Sequence, residues 1–149
     1  MANSQAIGRM SARFEMEVER GEIREFAPAT GSRNASYLTD TRPVMLPTFL
    51  TTQAIWQGEA ADPWLMSELN QLGGLHAEQE YIFHGSPPRA GTKLTFQTTI
   101  IEVFTKQGRR GGDMTFVVAL TKFWDEDGRL VAEAQATAVE TSVDSGVVR

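Results

Sequence analysis

The hydrophobic and polar positions of this chain change rhythm several times. Phe14, Met16 and Val18 alternate with Glu15 and Glu17, the period of two that half-buries a strand. Ile23, Phe26 and Ala27 then recur at helical spacing, and Pro28 followed by Gly31 predicts an early end to that helix. Ser32 to Leu46 has little periodicity and includes Asn34, Asp40 and Pro43, so it reads as a long ordered loop over a surface or pocket. From Pro47 the run PTFLTTQAIWQ suits a helix with proline in its first turn, continuing irregularly through Trp64, Leu65 and Leu69 to a stop at Gly73-Gly74. Phe49, Leu50, Ile55 and Trp56 predict that this helix is buried, against the weaker propensity of Thr51 and Thr52.

Beyond Leu75 the texture becomes that of strands: His76 to Phe83, Lys93 to Lys106, Asp113 to Trp124 and Leu130 to Ser142. The runs between them, GSPPRAGT, QGRRGG and DEDG, are rich in Pro, Gly and Asp and predict antiparallel hairpin neighbours. Ala132, Ala134, Ala136 and Ala138 share one face of the last strand, while Val131, Glu133, Gln135 and Thr137 take the other. Such a stripe lets a helix lie close against a sheet. One strand, two helices and then four strands predict an α+β fold in which an antiparallel sheet wraps around a central helix. Met1 to Met10 is polar and unpatterned and reads as a loose arm.

Composition narrows the function classes. The 149 residues, 41% of them hydrophobic, suit a single domain over residues 1–149. Fourteen basic against nineteen acidic residues give a net charge of −5, so the broad basic surface of a nucleic-acid partner is not expected. The chain has no cysteine, which removes disulfide scaffolds, thiolate zinc sites and thiol nucleophiles. MANSQAIGRM lacks the apolar core of a signal peptide, and no window approaches the roughly 18 apolar residues of a spanning helix, so no membrane insertion and a cytoplasmic location are expected.

Arg20 to Tyr37, RGEIREFAPATGSRNASY, carries the most specific motif, and LPTFLTT, GLHAEQEYIFHGSPPRAGTKL and GRLVAEAQATAVET follow it in order. Together, from Phe14 to Thr141, these runs resemble the MaoC-like hotdog dehydratases. The likeness is to the N-terminal-half type found in fatty-acid-synthase-like dehydratases and in companion subunits of heterodimeric hydroxyacyl dehydratases. The resemblance implies a hotdog fold and dimers or double-hotdog units. It also implies a tunnel between subunits for acyl thioesters of coenzyme A or acyl carrier protein, and a place in lipid metabolism. Hydration or dehydration would rest on an Asp and, five residues later, a His, with a backbone N–H at the start of the central helix holding the thioester oxygen.

Here those two positions read Ser32 and Tyr37. A tyrosine phenol ordinarily titrates near 10 and a serine hydroxyl higher, so neither residue type supplies a base near neutral pH. No catalytic residue is therefore assigned. The expected function is an acyl-thioester-binding, non-catalytic subunit of a 3-hydroxyacyl-thioester dehydratase or enoyl-CoA hydratase, working with a catalytic hotdog partner. A self-sufficient homodimer using a displaced residue such as Asp40 or His76, and a non-enzymatic acyl-CoA-binding protein, are the alternatives.

Candidate substrate contacts follow the same lines. Asn34 is retained from the family pattern, although its side chain also suits a turn. Pro47, Thr48 and Phe49 begin the expected central helix, whose unpaired N–H groups favour partial negative charge. His76 and His84 are the only histidines, and on a regular strand they share a face with Glu78 and Glu80. That chemistry suits a base or a metal ligand, and equally an oriented structural histidine; His76 is kept as a candidate contact. HAEQEYIFH matches no established ligand spacing, so no metal and no cofactor are expected. Arg89, Arg109 and Arg110 lie at turns, as solvated residues or as contacts for the phosphates of coenzyme A or an acidic carrier protein. Ser36, Ser67 and Ser86 lack a GxSxG setting.

Overall fold

The computed structural model describes residues 2–108 and 112–141, so Arg109 and Arg110 lie outside the described residues. Five strands form one antiparallel sheet in the order β1-β3-β4-β5-β2: β1 Phe14–Glu17, β2 Gly74–Phe83, β3 Lys93–Gln107, β4 Asp113–Trp124 and β5 Leu130–Thr141. All four pairings are antiparallel. The predicted strands are present, except that Ser142, the expected end of the last, lies outside the described residues. The QGRRGG and DEDG connections join the paired neighbours β3–β4 and β4–β5, whereas GSPPRAGT does not form a hairpin. It carries the chain from β2 at one edge of the sheet to β3 beside β1, because β2 pairs with β5. Turn composition marks where a strand ends and leaves its neighbour unspecified.

Cross-strand register sorts the side chains. Phe14 and Met16 of β1 lie opposite Phe96 and Leu94, Phe96 lies opposite Phe123, and Phe123 opposite Ala132. These residues occupy an inner face that a helical layer covers. Met16, Leu94, Phe96, Phe123, Ala132 and Ala134 join Ile23, Ala27, Met45, Phe49 and Leu50 in the main core cluster. The rings of Phe96 and Phe123 stand 5.8 Å apart and those of Phe26 and Phe49 6.2 Å apart. Full burial of such a side chain is worth roughly 1.5–3 kcal/mol, so these aromatics fix the helical layer to the sheet.

The layer is α1 Arg20–Ala29, α2 Ser36–Thr39, a 3-10 turn Phe49–Thr52 continuing into α3 Gln53–Trp56, and α4 Pro63–Met66. Ile23 and Ala27 face the core from α1. That helix ends as its sequence predicts. Gly31, at φ +76°, donates its N–H to Pro28 O, and Ser32 donates to Ala27 O, the paired bonds of a Schellman motif.

The expected central helix from Pro47 to Gly73-Gly74 is not continuous. It is a pair of short turns, a break at Gly58, and a new helix started by Pro63 with Asp62 accepting the Trp64 N–H at 2.7 Å. Phe49 and Leu50 are buried, but Ile55 is 79% and Trp56 39% exposed, contrary to the buried helix predicted for them. The Ser32 to Leu46 loop contains the single turn of α2.

Residues 2–10 are docked rather than loose. Ala6 is fully buried, Asn3 N–H donates to Ser67 O, Gly8 N–H to Ile100 O, and Met10 bridges Thr99 at the β3 edge. Small side chains held by backbone hydrogen bonds leave no hydrophobic period to read.

Candidate functional site

The chemistry of the inner face is set by the alanine stripe of β5. Each alanine stands opposite a β2 residue: Phe83 with Ala132, Tyr81 with Ala134, Gln79 with Ala136, and His76 with Ala138. A bulge between His76 and Glu78 makes this possible, since the extra residue, Ala77, reverses the alternation. His76 therefore shares a face with Gln79 and Tyr81. Glu78 and Glu80, opposite Thr137 and Gln135, point to the other face, so the expected grouping with these glutamates fails for His76, while His84 stays on their face beside Glu133.

The small alanines leave open space between the sheet and the helical layer. A pocket of about 190 Å³ lies there. Its floor is Ala119, Ala134 and Ala136; Leu50, Thr51, Gln53, Ala54 and Gln57 form one wall; Asp62, Pro63 and Trp64 a second; His76, Gln79 and Tyr81 the third. Leu50, Gln53, Ala54 and Gln57 follow the i, i+3, i+4, i+7 spacing of one helical stripe. Thr51 Oγ1 and Tyr81 Oη are hydrogen-bonded, tying the helical layer to β2. Gln53 Nε2 donates to Thr121 Oγ1 at 3.2 Å, and Thr121 Oγ1 is 2.8 Å from Thr98 Oγ1 in the buried sheet. A second pocket of about 210 Å³, bounded by Leu69, Gln71, Gly74, Leu75 and Ala138, shares Trp64 and His76 with the first. The two extend a groove along the stripe.

Of the sequence-predicted contacts among the described residues, His76 alone lines this pocket. Phe49 is in the core, and its N–H donates to Leu46 O at 3.0 Å; the segment begins as a 3-10 turn whose α-helical continuation is four residues long, so no long-helix N-terminus gathers there. Pro47 and Thr48 are exposed. Asn34 is exposed, and its Oδ1 accepts from the Ser36 N–H at 3.1 Å and the Ser36 hydroxyl at 2.9 Å, a local turn. Arg89 donates from Nη1 to Arg42 O at 3.1 Å, within the zipper that joins residues 42–45 to 88–90.

Ser32 and Tyr37 are both half-buried. Ser32 Oγ accepts from Asn34 N–H at 3.4 Å, and Tyr37 packs against the main core. Asp40 is exposed, with its carbonyl held by Arg20 Nε at 2.9 Å. His84 lies on the outer face, its Nε2 2.8 Å from Glu133 Oε2, while Lys122 Nζ is 3.7 Å from Glu133 Oε1. Among the described residues no group of three His, Cys, Asp or Glu is placed to hold a metal ion, and no helix is long and apolar enough to cross a membrane.

Sequence reasoning missed Gln53, Gln57, Asp62 and Tyr81. The signal for the two glutamines is their spacing of three and seven residues from buried Leu50, which turns both toward the sheet.

The sequence matches the model of the FAS1-like, dehydratase domain region over residues 5–134. No curated protein matches it significantly. Among solved structures it is similar to the C-terminally truncated HadBC (3R-hydroxyacyl-ACP dehydratase) complex from Mycobacterium tuberculosis, at 26% identity over 90% of this chain and 96% of that one, with a TM-score of 0.67. The ChsH1–ChsH2 complex from the same organism matches at 16% identity, 93% and 91% coverage and a TM-score of 0.66. A MaoC-like dehydratase from Phytophthora capsici matches at 17% identity with a TM-score of 0.70, over 95% of this chain and 50% of that one, so the chain spans half its length. These likenesses establish the α+β hotdog architecture.

Proposed function

Since the chain belongs to the FAS1-like dehydratase-region family, among the MaoC-like hotdog dehydratases, we propose that it is the acyl-thioester-binding, non-catalytic subunit of a 3-hydroxyacyl-thioester dehydratase. Family membership supports a dehydratase-type function; the division of labour is our reading. One observation carries it: at the positions where the family resemblance expects Asp and His stand Ser32 and Tyr37, a loop hydroxyl and a phenol packed on the core. Positioned acid/base catalysis contributes roughly 10²–10⁴-fold, and these two residues do not provide it near neutral pH. The groove along the alanine stripe remains as a place for an acyl thioester of coenzyme A or carrier protein. A hotdog partner supplies the acid and base, in the cytoplasm.

The sheet edge supports a partner. β2 is ten residues long, pairs with β5 on one side, and carries exposed Leu75 and Ile82. An edge of that length and polarity is ordinarily covered. HadBC and ChsH1–ChsH2 are complexes. Co-purification from the native host followed by an enoyl-thioester hydration assay tests the proposal: activity with the co-purified hotdog subunit and none without it is the expected result.

A second reading, the self-sufficient homodimer, draws on the presence of His76 and Asp62 in one pocket. It predicts turnover by the lone chain that His76→Ala abolishes. Asp40, on the surface at the end of α2, has no such support.

A further inference from the structure

The pocket wall contains a polar demand that the protein does not meet. Gln53 Oε1 and Gln57 Oε1 are buried and have no hydrogen-bond partner, although both residues line the pocket. A buried oxygen left bare carries the full cost of its lost hydration, a penalty that is kept only where something else completes it. Exchanging the oxygen and nitrogen of Gln53 moves the demand without removing it, since Thr121 Oγ1 satisfies one end of the amide and the other end stays bare. A ligand group that both donates and accepts hydrogen bonds answers either orientation. Hydroxyls and secondary amides do so; a methylene chain, an alkene and a thioester carbonyl do not donate.

Resting on the thioester-binding reading above, we infer that Gln53 and Gln57 form a specificity subsite for a hydrogen-bonding group of the bound thioester, a hydroxyl or a secondary amide. Two sources share that chemistry: a hydroxyl on the acyl chain and the amides of the pantetheine arm. The floor of Ala119, Ala134 and Ala136 accepts the apolar carbons beside that group, and the pocket is small against the roughly 300–1,000 Å³ of sites that enclose a whole drug-sized ligand, so it takes one segment of an extended molecule. Gln53 and Gln57, four residues apart on one stripe, present two amides to it in series.

Calorimetric titration of the full chain, alone and with its co-purified partner, tests this with S-(3-hydroxybutyryl)pantetheine and S-butyrylpantetheine. Gln57→Leu removes a bare oxygen, and Gln57→Met serves as the second variant should the first not fold. The expected result is binding of the hydroxylated probe about tenfold weaker in the variant, the scale of one lost hydrogen bond, with a Tm equal to or above that of the parent. If S-butyrylpantetheine weakens equally, the recognised group is the pantetheine amide; if it is unaffected, the group is the acyl hydroxyl. Unchanged binding of both probes with a lowered Tm overturns the inference and assigns the oxygens to an ordered water only. Failure of the parent to bind either probe, even with the partner, overturns the thioester-binding reading together with this one.

Discussion

Glu140 shows at the scale of one residue how distant segments of the chain are tied to the sheet. Its side chain is buried on β5, and Oε2 accepts the Ala2 N–H at 3.0 Å and the Asn70 N–H at 3.2 Å, joining the docked N-terminal segment and the segment before β2 to the sheet. Glu140→Ala deprives both N–H groups of that acceptor and should cost about 1–3 kcal/mol. Glu140→Gln, which keeps an acceptor oxygen, should cost less. Denaturant midpoints order the three proteins, and hydrogen exchange at Asn70 locates the loss. Nothing in the sequence announces this role, because a glutamate on a strand reads as a solvent-facing residue. The docked segment that it holds is equally silent, for Ala6 is buried by its neighbours rather than by any periodicity of its own. Ser32 is the contrasting case: its place just past a helix end was legible, because Pro28 and Gly31 mark that end in the sequence.

Among the elements, β3, β4 and β5 were plain from alternation and from the turn residues between them, whereas β2 was plain in position and misleading in face. Parity fails at a bulge, and no residue type between His76 and Glu78 signals one. The helix expected from Pro47 to Gly73-Gly74 failed for a readable reason: Gly58, and Asp62 before Pro63, are stop and start signals that its scattered aromatics outweighed. Ala136 illustrates what the correction changes. Beneath a continuous helix Ala136→Leu would overpack, but Ala136 faces the pocket. The variant should fold with a Tm close to the parent and lose thioester binding by filling the groove, which paired melting and titration will check.

The β4–β5 turn makes a separate prediction. The Arg129 backbone N–H, 2.9 Å from Asp125 Oδ1, together with its guanidinium at 2.7 Å from Oδ2, holds the Asp125 carboxyl below the usual range. A depressed carboxyl contributes stability above its unfolded value and loses it as pH falls through the lower folded value. Melting of the parent should therefore fall more steeply below about pH 4 than that of Asp125→Asn, with the two profiles parallel near neutrality.

For the whole molecule, the order β1-β3-β4-β5-β2 leaves β2 as a long edge while the N-terminal segment and β1 line the β3 side. Such asymmetry favours association through the β2 side. Sedimentation should find the chain as a homodimer or bound to a related hotdog subunit; a stable monomer, alone and with the candidate partner, would contradict the account. The most direct test is hydration of short and long enoyl-CoA substrates by the unmodified chain, assayed alone and with a hotdog partner that carries an intact Asp and His. The expected result is thioester binding without turnover by the lone chain, and turnover on adding the partner. Robust turnover by the lone chain, lost in His76→Ala and retained when Ser32 and Tyr37 are replaced, would contradict it and establish the homodimer.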